Sequence, residues 1–266
     1  MTSNVYIRTG LNQTITILKE SYCTQPFKIV NITEDKKSEP LHLMLKAASP
    51  GILDGDEYVI RIDLEEGSSL QLQTQSYQRL FSMKKSASQL LEVCIKEFSN
   101  FCFIGHPIVP HKDSSFYSKN KLHLSEKNCT LTWGEILTCG RKLNGEVFQY
   151  SSFQNITEIF IDSKIILREN VCINPINRNV QGIGKMEGYS HQATLIHLNE
   201  QINVTHIKNE ITDWLITQPD ILYGITSTPI NGFILKILGN KGEQLYEILN
   251  SLNDIFIKPK KKEHVG

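Results

Sequence analysis

The sequence predicts a mainly β protein of stacked strand-turn-strand units, β-helix-like or folded as two-layer sheets, with a small α/β C-terminal part containing two helices. Three observations carry this reading. Apolar and polar residues alternate through most of the first 200 positions, as in Tyr58, Ile60, Ile62 and Leu64, the period of a half-buried strand. Polar reversals recur at Glu66-Gly67-Ser68, Glu97-Phe98-Ser99 and Glu126-Lys127-Asn128, 31 and 29 residues apart. The last sixty residues change to helical spacing. A repeat of this size points to stacked units that share one core. A plain antiparallel meander produces the same spacing from ordinary strand and turn lengths, so both arrangements stay open.

Taken in order, VYIRTG, QTITILKESY and PFKIV are the first strands, with Ile15 and Ile17 on the face opposite Thr14 and Thr16. Glu34–Pro40 is a charged loop and Leu41–Leu45 a strand ended by Pro50-Gly51. Each reversal is then framed by strands: Tyr58–Leu64 and Leu70–Thr74, Leu91–Ile95 and Phe101–Phe103, Leu122–Leu124 and Leu131–Trp133. Ile159 and Ile161, turning at Asp162-Ser163-Lys164 into Ile166, form one more hairpin. Asn174–Gly188, rich in Asn, Pro and Gly, is a long loop, and Ala193–Leu198 a strand. Ile207, Ile211, Trp214 and Leu215 make one apolar helical face with Thr205 as its cap. Strands Ile221–Ile225 and Phe233–Leu238 follow, then a second helical stripe, Leu245, Ile248, Leu249 and Leu252, capped by Asn240. This divides the chain into a β-rich part at 1–200, a helix-strand-strand-helix part at 201–257 and a basic disordered tail at 258–266, with Lys258–Lys262 its charge run.

Composition excludes several function classes. In 266 residues, Lys+Arg and Asp+Glu both number 28, and this balance argues against gripping nucleic acid, which needs a basic surplus. No charged start leads into an apolar block and no long uninterrupted apolar run occurs, so neither secretion nor a membrane span is expected. The location expected is cytoplasmic. The six cysteines are scattered without a Cys-x-x-Cys pair and read as reduced thiols.

Chemistry is sparse. There is no P-loop and no Gly-x-Ser-x-Gly elbow. Gly182-Ile183-Gly184 lacks the strand and third glycine of a dinucleotide motif. His106 and His111 flank Pro107 and Pro110 without further zinc ligands nearby. Carboxylates at strand ends stand out instead. The turn at Asp54-Gly55 accounts for those two residues and leaves Asp56 without a local task. Glu135 lies among apolar neighbours; if it shares a face with Trp133 it is either partly buried or at a rim, and a buried carboxylate needs a partner, for which Arg141 is the nearest candidate. Glu146 follows Asn144-Gly145, a two-residue hairpin turn by sequence. Carboxylates hold a divalent cation loosely, without the thiolates or imidazoles that trap it.

Five blocks carry a resemblance: Pro26-Phe27, SPGILDGD (Ser49–Asp56), LQTQSYQRLF (Leu72–Phe81), FIGHPIVPH (Phe103–His111) with Ser115-Phe116, and WGEILTCGRKLNGEVF (Trp133–Phe148). In this order they resemble the urease accessory protein family UreD, also called UreH. The likeness covers about residues 20–165 and rests on length and element order beyond 170. It implies a non-catalytic scaffold that binds the urease apoprotein and, with UreF and the GTPase UreG, directs nickel supplied by UreE into the urease metallocentre through an internal polar tunnel. It implies no tightly bound cofactor, only nickel in transit. Carried over by block, Asp56, Glu135 and Glu146 are candidates for the nickel path, with His106, His111 and Arg141 beside them. Gly105 stands where the family often has proline. Thr74–Gln78 becomes a family signature without an assigned role, and Asn174–Gly188 with the C-terminal helices is the expected partner face. The rival reading is a β-solenoid hydrolase whose Asp56 and Glu135 flank a saccharide across one cleft.

Overall fold

Each polar reversal is a corner that carries the chain from one sheet to the facing one. In the computed structural model, which describes residues 1–34 and 40–257, β5 (Glu57–Leu64) lies in one sheet and β6 (Ser69–Thr74) in the other. β8 (Ala87–Ile95) and β9 (Asn100–Ile104) repeat the crossing, as do β11 (Ser115–Leu124) and β12 (Thr130–Thr138). Strands of like position pair in parallel and in register: β5 with β8 and β8 with β11, β6 with β9 and β9 with β12. The stacked alternative is therefore the one adopted, and its walls are two facing sheets. The corners stack as well. Gly67 N–H donates to Glu97 O at 3.0 Å and Phe98 N–H to Lys127 O at 3.2 Å, so the ladder continues around the bend. The bend needs a left-handed residue, and Gly67 supplies it at φ 72° without a Cβ penalty.

Other strands complete both walls. The first sheet runs β14-β13-β11-β8-β5-β1-β2, with β1 at Thr2–Asn12, β2 at Ile15–Cys23, β13 at Ser152–Ile161 and β14 at Lys164–Ile173. The second runs β16-β17-β15-β12-β9-β6-β4-β3, with β3 at Phe27–Asn31, β4 at Leu41–Ala47, β15 at His191–Asn199, β16 at Leu222–Ser227 and β17 at Gly232–Gly239. Two short strands, β7 (Gln78–Leu80) and β10 (Ile108–Pro110), pair with each other off this path. β13 and β14 form the expected hairpin at Asp162-Ser163. Helices α1 (Val204–Leu215) and α2 (Gly242–Leu252) cover the outer face of the second sheet, where Ile211, Leu215, Leu245 and Leu249 pack on Ile136, Leu195, Phe233 and Leu235.

In-register stacking sorts the interior into columns. Ile7, Ile62, Val93, Leu122 and Ile159 are mutual neighbours across five strands, and all are fully buried. Leu43, Leu72, Phe103, Trp133 and Ile196 face them from the second sheet.

Four local expectations are corrected. On β2 it is Thr16 that is buried and Ile17 that is exposed, because the buried Ser69 N–H needs the Thr16 hydroxyl as acceptor (2.9 Å). The cap of α1 is Asn203, whose side chain accepts from His206 N–H, and not Thr205. Asn240 caps nothing: its carbonyl accepts from Ser190 Oγ, while Lys241 occupies the cap position of α2 without a side-chain bond. Asn144-Gly145 ends a single 3-10 turn, Lys142–Asn144, and joins no hairpin. Most of the Glu34–Pro40 loop and the tail Lys258–Lys262 lie outside the described residues.

The inverted phase of β2 is open to a direct check. Thr16→Val strands a buried N–H and is expected to cost roughly 1–3 kcal/mol, whereas Ile17→Ala is expected to stay within about 0.5 kcal/mol of wild type. Urea denaturation of both variants measures the difference, and the reverse order of costs contradicts this packing.

Candidate functional site

Next to the apolar column the interior changes character. Along the neighbouring row Val5, Ile60 and Leu91 give way to Asn120 and Thr157, and one row further Tyr58 gives way to Gln89, Ser118 and Asn155. All of these point inward, so a polar band of amides and hydroxyls lies between the apolar column and a second apolar cluster around Phe116, Phe153 and Tyr150. From the opposite wall β12 presents Glu135 to them. Its row in the second sheet continues through Thr194 and Lys236.

Glu135 is held by Asn120 Nδ2 donating to Oε1 (3.1 Å) and by Asn155 Nδ2 (2.9 Å) and Thr157 Oγ1 (3.2 Å) donating to Oε2. Asn120 in turn donates to Asn155 Oδ1 and bonds Thr157 Oγ1, at 3.1 and 3.0 Å, and Ser118 donates to Asn155. No cation pairs with Glu135 among the described residues. The side chain keeps part of its accessible area and lines two of the cavities described next. Burial pushes its carboxyl above the ordinary glutamate range, against the opposite pull of its hydrogen-bond donors.

Four adjoining cavities follow this polar band. The first, about 130 Å³, lies between the Ser49–Ile52 corner and Thr74–Gln78. The second, about 40 Å³, lies among Gln89, Asn120, His106 and Glu135. The third, about 20 Å³, lies among Glu135, Asn155, Gln192 and Thr194. The fourth, about 600 Å³, opens beside the Asn174–Gly188 loop. Neighbours share walls: Thr74, Gln78 and Gln89 first, then Ile108, Glu135 and Ile136, then Glu169, Val171 and Gln192. At the last wall Lys236 pairs with Glu169 across the two sheets. Trp133, which also lines the second cavity, turns its indole N–H toward the Glu135 carboxylate and favours its charged form, short of strict hydrogen-bond geometry.

The structure separates Asp56, Glu146, Arg141 and His111 from Glu135. Asp56 does serve its turn: Oδ2 accepts from Leu53 N–H at 2.9 Å, and the residue lines none of these cavities. Arg141 pairs with Glu146 and not with Glu135, because its loop folds back on itself. That guanidinium, helped by Lys112 N–H at 3.1 Å, lowers the Glu146 carboxyl to about 2. Glu146 lines none of the four cavities either. The saccharide reading needs Asp56 and Glu135 across one cleft, and they share no cavity. His111 is buried against Phe81 with Nε2 unpartnered; burial lowers its pKa.

His106 reaches the second cavity. Its Nδ1 bonds Thr74 Oγ1 at 3.0 Å, its ring stacks on Tyr246 of α2 at 4.2 Å, and burial lowers its pKa. Gly105 N–H donates to Gly134 O at 3.0 Å, a bond proline there would forfeit. Thr74–Gln78 is thereby explained in part: Thr74 holds His106, Tyr77 donates to Glu243 of α2 at 2.9 Å, and Gln78 donates to Gln89. Among the described residues no group of three or more His, Cys, Asp or Glu stands close enough to hold a metal ion.

Sequence reading missed Ser118, Asn120, Asn155 and Thr157. The signal was present in SFYSKNKLHL, where the inward phase set by Phe116, Leu122 and Leu124 puts Ser118 and Asn120 inside.

Two walls of stacked coils around a row of polar-lined cavities define a β-helical protein. The family model for the UreD urease accessory protein matches residues 3–263, well beyond the blocks visible by eye. Curated relatives named urease accessory protein UreD include that of Flavobacterium johnsoniae, 43% identical over 95% of this chain and 91% of its own length. Those of Acetivibrio thermocellus and Haemophilus influenzae are each 31% identical over 95% of this chain, and 96% and 97% of their own lengths. The chain belongs to the UreD urease accessory protein family, and its role lies in urease maturation. No helix among the described residues is long and apolar enough to cross a membrane.

The raised Glu135 carboxyl predicts a pH signature. The folded protein holds this proton more tightly than the unfolded chain. The group therefore supports folding at low pH, and that support is lost as pH rises from the unfolded glutamate range through the raised folded value. Wild type is expected to lose stability relative to Glu135→Gln across that window, measured by denaturant titrations from about pH 4 to about pH 8. Parallel pH profiles contradict the burial of this carboxyl.

Proposed function

We propose that this protein is a non-catalytic urease maturation scaffold. It binds apo-urease and, with UreF and the GTPase UreG, passes nickel supplied by UreE toward the urease metallocentre by way of the cavity row. The observation that carries the reading is Glu135. A carboxylate buried among neutral amides and hydroxyls, bordering two inner cavities, is costly to the fold and has no ion-pair role. A dication in transit removes that cost while it is present, taking the place of the proton.

The donor chemistry supports passage over storage. Amide and hydroxyl oxygens with one carboxylate bind a borderline metal such as nickel weakly, while thiolates and clustered imidazoles retain it. Water in the polar cavities supplies the rest of the coordination shell. His106, half-buried beside Thr74 at the wall between the first two cavities, is a second weak donor on the same row.

The reading is tested by co-expressing apo-urease and the other accessory proteins with wild-type or variant chain. Without this chain, nickel-dependent urease activity is expected to stay at background. Glu135→Gln is expected to lower activation roughly tenfold, the scale of one lost charge-assisted contact, with partner assembly by size-exclusion chromatography unchanged. Asp56→Ala, off the cavity row, is expected to activate normally once matched for folded protein. Full activation without the chain, or by Glu135→Gln, overturns the proposal.

A further inference from the structure

The two sheets end differently at the two ends of the molecule. At one end β2 and β3 pack on each other and close the gap between the walls. At the other, the first sheet stops at β14, which among the described residues pairs with β13 alone, while the second continues through β17 to β16. The largest cavity, about 600 Å³, occupies this mismatch and falls within the size range of ligand sites.

Its lining shows what kind of space it is. Side chains of a strand alternate between faces, so a cavity against one face touches every second residue. This cavity touches Glu169, Asn170, Val171, Cys172, Ile173 and Asn174 in succession. It therefore runs along the free edge of β14, where main-chain N–H and C=O groups have no strand partner. Its floor is the inward face of β17 and β16, where Leu238 pairs with Leu222 and Lys236 with Gly224. The space is that of one absent strand of the first sheet.

Charge indicates what would fill it. Glu169 neutralises Lys236, which leaves Arg178 and Lys185 in the wall without a carboxylate partner among the described residues. On the same loop Ile176 and Ile183 are 74% and 96% exposed. An open sheet edge of this kind is a ready template for a further strand.

We propose that an extended, acidic segment of a partner protein adds to β14 as a further strand, its main chain paired with the β14 edge and a carboxylate set against Arg178 and Lys185. Side chains on its inward face cover Leu222 and Leu238. This does not depend on the nickel passage, since the mismatch between the sheets is present whether or not metal moves through the interior.

The test uses the full chain and short overlapping peptides from urease and its other accessory proteins, read by fluorescence anisotropy. Acidic, strand-forming peptides are expected to bind, and Arg178→Glu with Lys185→Glu on these exposed loops is expected to weaken them about tenfold or more. The best peptide is then N-methylated at odd or at even residues. An added strand turns alternate N–H groups toward β14, so one set is expected to abolish binding and the other to leave it intact. Binding that survives both sets, is lost with both, or never appears with any peptide overturns the proposal. None of these readouts involves nickel or urease activity, so they stand or fall separately from the function proposed above.

Discussion

Parallel in-register stacking is the constraint on which the rest of this structure depends. When one coil lies directly on the next, an inward position in one strand faces the same inward position in its neighbour. Apolar residues then gather into unbroken columns, as Ile7, Ile62, Val93, Leu122 and Ile159 do. Polar residues gather with the same logic. Once Asn120 replaces an aliphatic side chain in its column, Thr157 is its next neighbour, and Ser118 stands beside Asn155. A polar band and the apolar clusters beside it follow from one register, and the corner bonds through Gly67 and Phe98 keep that register fixed.

Glu135 lies where this arrangement is least favourable to folding. Desolvation of a carboxylate is only partly offset by three neutral donors, and a hydrophobic residue in its place would pack without that cost. Structures that keep such a group do so at functional sites more often than elsewhere. The adjoining cavities supply the physical counterpart: space for water next to a group that wants it. Two ends of the row meet parts of the chain that are not regular sheet, the Thr74–Gln78 segment tied to α2 and the Asn174–Gly188 loop.

Much of the fold was legible because each strand states its phase locally. Tyr58, Ile60, Ile62 and Leu64 alternate, and the structure buries all four. The phase of β2 was misread because the demand on Thr16 comes from Ser69 N–H, 53 positions away. Corners and hairpins look alike in sequence, since both need a left-handed turn residue, and only the pairing of later strands separates them. The site divides the same way. A partly buried Glu135 was one of two placements open beside Trp133, but its partners arrive on β11 and β13 through register, which no local spacing encodes. Arg141, near in sequence, folds back onto Glu146. Asp56 looked idle because the Leu53 N–H it satisfies is a backbone group, which a sequence does not display.

The central claim is that the polar cavity row is the path of the metal, and a steric block tests it most directly. Gln192 stands in the wall shared by the third and fourth cavities, two positions along β15 from the Thr194 that pairs with Glu135 and apart from the apolar columns. With Gln192→Trp, and with folding and partner assembly verified, nickel-dependent urease activation should fall to the level seen without the chain. Normal activation by that blocked variant would contradict the account.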